Sequence, residues 1–313
     1  MSDTPGRPIQ RGSRESEIAS LLVGAVDLHC HSGPAAMPRI LDHHDAMMDC
    51  AAAGFRALLY KDHFYLGTAH AILLEKLVPD TGVRLFSGIA LNNASGGFNP
   101  HAVDHAIKLG GRIVWMPTLS AKNHIDVLAA GTVKTFPKTA KKMLDPVPLT
   151  PVGPDGKLID AVKQILDLIA ADNIILAGGH LSTPELFMVF EEAKARGVRK
   201  LLVNHPTYLV NNCSDAEIRG LVALGATMEH SICMFVEGKS KKFEPAELRR
   251  VIEVAGVGRT ILSSDLGLVG SPRPVDGYRE VVGHLIDLQF SAAEIRALVG
   301  DNAAAMLDLD AAA

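Results

Sequence analysis

Short runs of aliphatic and β-branched residues, each ending in a polar or glycine-rich loop, alternate along the chain with longer stretches whose apolar positions recur at helical spacing. That rhythm predicts repeated βα units. The strands are expected at 25–29, 57–61, 84–90, 112–116, 174–177, 201–204, 226–229 and 260–263, and helices at 40–53, 100–109, 158–170, 184–196, 214–224 and 245–255. Gly54, Gly110, Gly197, Gly225 and Gly256 each follow a predicted helix and precede a predicted strand, as in a repeated wind. Eight strands is the number of a (β/α)8 barrel, so the pattern predicts a single-domain α/β TIM barrel over 21–313, behind a polar, disordered head at 1–20.

One stretch breaks the even spacing. Residues 120–157, rich in Lys, Pro and Thr, are too long for an ordinary connection. Inserted after the fourth strand, they would project from the C-terminal face of the barrel, as a lid on a site or as a subunit contact.

Composition narrows the function without naming it. The 313 residues are 48% hydrophobic and 21% charged, enough to bury a sizeable core. A net charge of -4 with no dense Lys/Arg block argues against nucleic acid or an anionic membrane as partner and leaves a small-molecule substrate as the expectation. The longest apolar stretch is too short to span a bilayer, and the polar start lacks a signal-peptide core, which points to the cytoplasm. Cys30, Cys50, Cys213 and Cys233 are scattered with no CxxC pair and read as reduced thiols.

Candidate chemistry gathers at strand ends, where barrel active sites form. In Asp27-Leu28-His29-Cys30-His31, alternation along a strand points both imidazoles one way and Cys30 toward the helices. His180 ends the fifth strand, His205 the sixth and Asp265 the eighth. Three imidazoles and a carboxylate suit zinc, and manganese or iron as alternatives, while the fourth imidazole fits a second metal or a base.

These motifs, from Val26 to Leu309, resemble the amidohydrolase superfamily, whose barrels carry HxH after strand 1, His after strands 5 and 6, and Asp after strand 8. The closing segment with Asn302-Ala303-Ala304 is similar to that family's Asn-Pro-Ala element. The resemblance implies that His29, His31 and Asp265 hold one divalent ion, that His180 and His205 hold a second, and that Asp265 takes the proton of an attacking water. The reaction implied is hydrolysis of an amide, cyclic amide, lactone or ester. A mononuclear decarboxylase, deaminase or hydratase with His205 as base is the alternative, and a homo-oligomer is the usual assembly. Binuclear members carry a carboxylated Lys or a Glu after strand 4, but this chain has Trp115-Met116-Pro117-Thr118 there. Lys61, ending the second strand, is read in three ways: a displaced carbamate bridge, an anchor for a substrate carboxylate, or an ion pair with Asp62.

The Asp62-His63 pair also resembles the second motif of polymerase-and-histidinol-phosphatase (PHP) phosphoesterases, although the Glu expected after strand 3 and the later Asp-x-His are missing. His63, Asn92, Thr118, Glu229 and Arg273 remain as candidate substrate contacts. His63, Asn92 and Arg273 also have ordinary readings as a loop histidine, a turn former and an exposed loop arginine, and Glu229 is read as an acid, as a partner for a ligand imidazole, or as no more than a helix-start charge.

Overall fold

The computed structural model describes residues 11–131, 138–208 and 210–309. Nine parallel strand segments occupy the eight barrel positions: β1 Val26–Cys30, β2 Ala57–Tyr60, β3 Arg84–Phe86, β4 Gly88–Ala90, β5 Ile113–Trp115, β6 Ile175–Ala177, β7 Leu201–Asn204, β8 Thr227–Ser231 and β9 Thr260–Ser263. They pair in the orders β1-β2-β3 and β4-β5-β6-β7-β8-β9. β1 and β9 meet where Asp265 N donates to His29 O at 2.7 Å. Outer helices follow the strands, among them His43–Ala52 after β1, Asp160–Asp172 after β5, Thr183–Ala195 after β6 and Pro274–Asp287 after β9. The helix after β1 begins at His43 because Asp42 and Asp45 form a reciprocal capping box.

The third barrel strand, expected to run unbroken over 84–90, is split at Ser87. Its first half pairs with β2 and its second with β5. The Ser87 hydroxyl donates to Tyr60 O at 2.8 Å, and a Cβ on Gly88 would stand 1.9 Å from Ile113 O. The chain therefore leaves one neighbour and takes up the next at these two residues.

The head also departs from expectation. Arg11–Leu22 is a helix, with Leu21 and Leu22 buried and Arg14 bonded to Gly283 O and paired with Asp287. Disorder at 11–20 is thus corrected: a mainly polar sequence is ordered by two leucines and one arginine against the helix Pro274–Asp287, and 1–10 lie outside the described residues. Within the insertion, Lys122–Ala129 is helical, and Leu149 N to Ser120 O and Lys122 N to Leu149 O, each 2.8 Å, tie its return to its start. Among the described residues no helix is long and apolar enough to cross a membrane.

Candidate metal centre

The residues expected as ligands lie at or just beyond the C-terminal ends of barrel strands, so the parallel winding brings them to one mouth. β1 delivers His29 and then His31, β2 leads into Lys61, β7 into His205, β8 carries Glu229 and β9 leads into Asp265. Cys30 joins the core between strands and helices, as alternation requires, and the pairing of β1 with β2 shifts register between Asp27 and Cys30. Such an irregularity re-aims side chains at barrel rims. Asp27 Oδ1 accepts from His29 N at 3.1 Å and Ser264 N at 2.9 Å, locking β1 to the segment before Asp265. Asp265 and His205 both hold left-handed backbone, φ 48° and 31°. Non-glycine residues adopt that conformation where the surroundings impose it. Gly267, with φ 116°, has no room for a side chain, since a Cβ would lie 1.8 Å from His31 O.

The tightest cluster is His29, His31 and Asp265, whose ligand atoms lie within 4.8 Å of one another. His29 Nδ1 donates to Glu229 Oε1 at 2.5 Å, and His31 Nδ1 donates to Lys61 O at 3.0 Å. With each Nδ1 so used, the Nε2 lone pairs face inward, and both point at Asp265 Oδ1, at 3.4 Å and 3.0 Å. Burial pushes His29 down to about 3 and His31 to about 4, so both imidazoles are neutral near pH 7. Burial opposes the Asp265 charge, yet attraction between this carboxylate and the adjacent imidazoles, which take up a proton before it does, holds the carboxyl well below the usual carboxylate range. Three electron-pair donors facing one point repel unless a cation lies among them, and their spacing fits ligands about 2.0–2.2 Å from a zinc-sized ion. The residues present therefore fit a divalent metal. Ser231 Oγ donates to Asp265 Oδ2 at 2.9 Å, and Asn204 Nδ2 donates to Glu229 Oε2 at 2.7 Å.

Across the mouth the partners differ. The His180 and His205 rings are 5.0 Å apart. His180 Nδ1 lies 2.8 Å from Nδ1 of His124, a residue of the insertion helix, and His205 Nδ1 is buried with no hydrogen-bond partner. Burial drives His180 well below its ordinary value and His205 to about 4. Lys61, almost wholly buried, points at the first cluster: its Nζ is 3.3 Å from His29 Nε2 and 5.4 Å from the centre of the Trp115 ring. Burial lowers it to about 8, against the pull of Asp265 and Glu229. Asp62 faces Arg39 at 3.7 Å.

His63 lies beside the cluster, its ring 5.2 Å from that of His31 and its Nδ1 2.9 Å from Thr118 Oγ1. The Asn92 amide donates to His63 O and Thr118 Oγ1 and accepts from Thr118 N and Ser120 N. It is thereby spent on tying three loops together. Arg273 pairs with Asp49 at 2.7 Å, and the structure does not bring it to the cluster. His124, Arg39, Asn204 and Ser231 were missed from sequence. His124 sits on a short helix inside the insertion and Arg39 in an irregular loop, and the others look like ordinary strand residues.

A family model described as a family of unknown function, DUF6282, matches residues 24–229, which hold every residue of this cluster except Asp265. No curated protein matches the sequence. The fold is similar to that of an amidohydrolase from Pseudomonas aeruginosa, at 12% identity and TM-score 0.64 over 94% of this chain and 98% of that one. It is equally similar to the probable dipeptidase PvdM from the same organism (12%, TM-score 0.65, 94% and 97%). The organophosphorus hydrolase of Deinococcus radiodurans is a further neighbour (11%, TM-score 0.55, 93% of each chain). These likenesses show the TIM-barrel fold anticipated from the strand pattern, and the match over 24–229 shows that the chain belongs to the family DUF6282.

Proposed function

We propose that this protein is a metal-dependent hydrolase that cleaves a C–N or C–O bond in a small molecule: an amide, cyclic amide, lactone or ester. The observation that carries the reading is the convergence of His29 Nε2, His31 Nε2 and Asp265 Oδ1, each held there by a bond to its other polar atom. The fold neighbours described as an amidohydrolase, a dipeptidase and an organophosphorus hydrolase support it. A divalent ion, zinc first and manganese or iron as alternatives, would supply Lewis acidity for the carbonyl and lower the pKa of a water. Asp265 receives that water's proton and passes it to the leaving group. Glu229 fixes the His29 tautomer, and the buried walls exclude bulk water. His180 and His205 would hold a second ion. Lys61, whose burial lowers its pKa to about 8 and so raises the share of free amine, would add to carbon dioxide with loss of a proton, and the resulting carbamate would supply the anionic ligand that the fourth strand lacks.

One observation favours a second reading. The unpartnered Nδ1 of His205 leaves that ring free to act as base beside a single ion, which suits a decarboxylase or deaminase. Metal per chain, measured by plasma mass spectrometry after reloading with zinc or manganese, separates the two. Two ions with turnover on an amide, lactone and ester panel support the hydrolase, one shifts the assignment to the mononuclear enzyme, and none overturns both.

A further inference from the structure

The guanidinium of Arg39 stands out among charged groups at the mouth. Its side chain is only 3% exposed, and Nε, Nη1 and Nη2 are all buried without a hydrogen bond. The nearest acid oxygen, Asp62 Oδ2, is 3.7 Å away, beyond hydrogen-bonding distance, and is itself unsatisfied. A buried guanidinium with five donors and no acceptor is costly, which is why such groups normally occur bonded.

Its backbone explains why it stays there. Arg39 bridges Leu268, Ile40 N donates to Gly267 O at 2.9 Å, and His31 N donates to Leu266 O at 2.8 Å. The arginine is thus stitched to the loop that carries Asp265, and its side chain reaches toward the residue after Lys61.

We propose that Arg39 anchors a carboxylate of the substrate, so that the bond cleaved belongs to a molecule carrying a free acid group near the scissile carbonyl. This rests on the reading of the mouth as the substrate site. One edge of the guanidinium faces Asp62, and the remaining donors match the two oxygens of a carboxylate in parallel. Asp62 beside it disfavours a dianion such as a phosphate monoester. Lys61, given above to the carbamate ligand, is then released from the anchoring role that its position also suggests.

The test uses the full chain, metal-free and zinc-reloaded, titrated calorimetrically with N-acetylglycine and with its uncharged isostere N-acetylglycinamide. In both forms the acid is expected to bind about tenfold tighter or better, the scale of a charge-assisted pair, and Arg39→Gln should bring that ratio close to one with metal content unchanged. No measurable binding of the acid, equal binding of acid and amide, or a preference that survives Arg39→Gln overturns the proposal. A preference confined to reloaded protein and indifferent to Arg39 places the anion on the metal instead and overturns it too. Should Arg39→Gln not fold, Arg39→Met, which keeps the unbranched apolar stem but not the charge, is read by the same criterion. Failure to retain any metal would sink the hydrolase while leaving the result on metal-free protein intact, so the two failures are distinguishable.

Discussion

The two halves of the mouth contain similar residues in different surroundings. On the β1–β9 side each imidazole is tethered through Nδ1 to an acceptor on another strand or loop, and a carboxylate closes the triangle. On the β6–β7 side His180 leans on another imidazole, His205 Nδ1 is unpartnered, and no carboxylate pairs with either ring among the described contacts. Histidine makes a strong, directed ligand when its second nitrogen is fixed by an acceptor. The first half is therefore preorganised for a cation, whereas the second depends on what Lys61 brings to it.

The largest effect expected from breaking this asymmetry is at Asp265. Asp265→Asn keeps the shape and one oxygen but removes the proton acceptor, so turnover on a responsive amide or ester should fall by about 10²–10⁴-fold while the protein still binds metal. Unchanged turnover would refute the proton transfer assigned to it. Glu229→Gln comes next. It weakens the tether on His29 and should lower the affinity of the first ion by about 10–100-fold, read by chelator competition, with the second ion unaffected. Equal weakening of both ions would mean that the halves form one inseparable cluster.

Lys61 sharpens the comparison from the other side. With 13C-bicarbonate supplied, a carbamate carbon signal should appear in the NMR spectrum of zinc-loaded protein and be absent from Lys61→Met. Occupancy in that variant should drop from two ions to one, the β1–β9 ion remaining. Loss of both ions, or two ions without a carbamate signal, rejects the bridge.

How far the sequence foretold this contrast follows from the physics of each side. His29, His31 and Asp265 were legible because strand alternation and strand ends are local signals that survive without tertiary knowledge. The strand positions were legible for the same reason, as continuous apolar runs. What decides the chemistry of each half was not: the partner of His29 lies 200 residues away on β8, and that of His180 lies 56 residues away on a short helix inside the insertion. Arg39 was hidden similarly, in a loop with no periodicity. The break at Ser87 turns on a single side-chain hydrogen bond and a glycine contact, which hydropathy does not register. The helix Arg11–Leu22 is mostly polar, and its burial rests on its final leucines.

The smallest effect is expected at His124, and its sign is the informative part. The helix bearing it is held independently, since Asn123 Nδ2 donates to His180 O at 3.1 Å and to Val210 O at 2.8 Å, so removing the imidazole should not release the insertion. If the 2.8 Å contact is a hydrogen bond that fixes the His180 tautomer, His180 meets the ion through Nε2. His124→Ala then costs about 1 kcal/mol, the net worth of one neutral hydrogen bond, and the second ion binds about fivefold more weakly while the first is unchanged. If instead Nδ1 of His180 is the ligand atom, His124 competes with the ion, and the same substitution tightens the second site. Cobalt titration followed by its visible absorption reads both directions. Either shift confined to the second ion supports the division of the mouth into two halves, and a shift of the first ion as well would undo it.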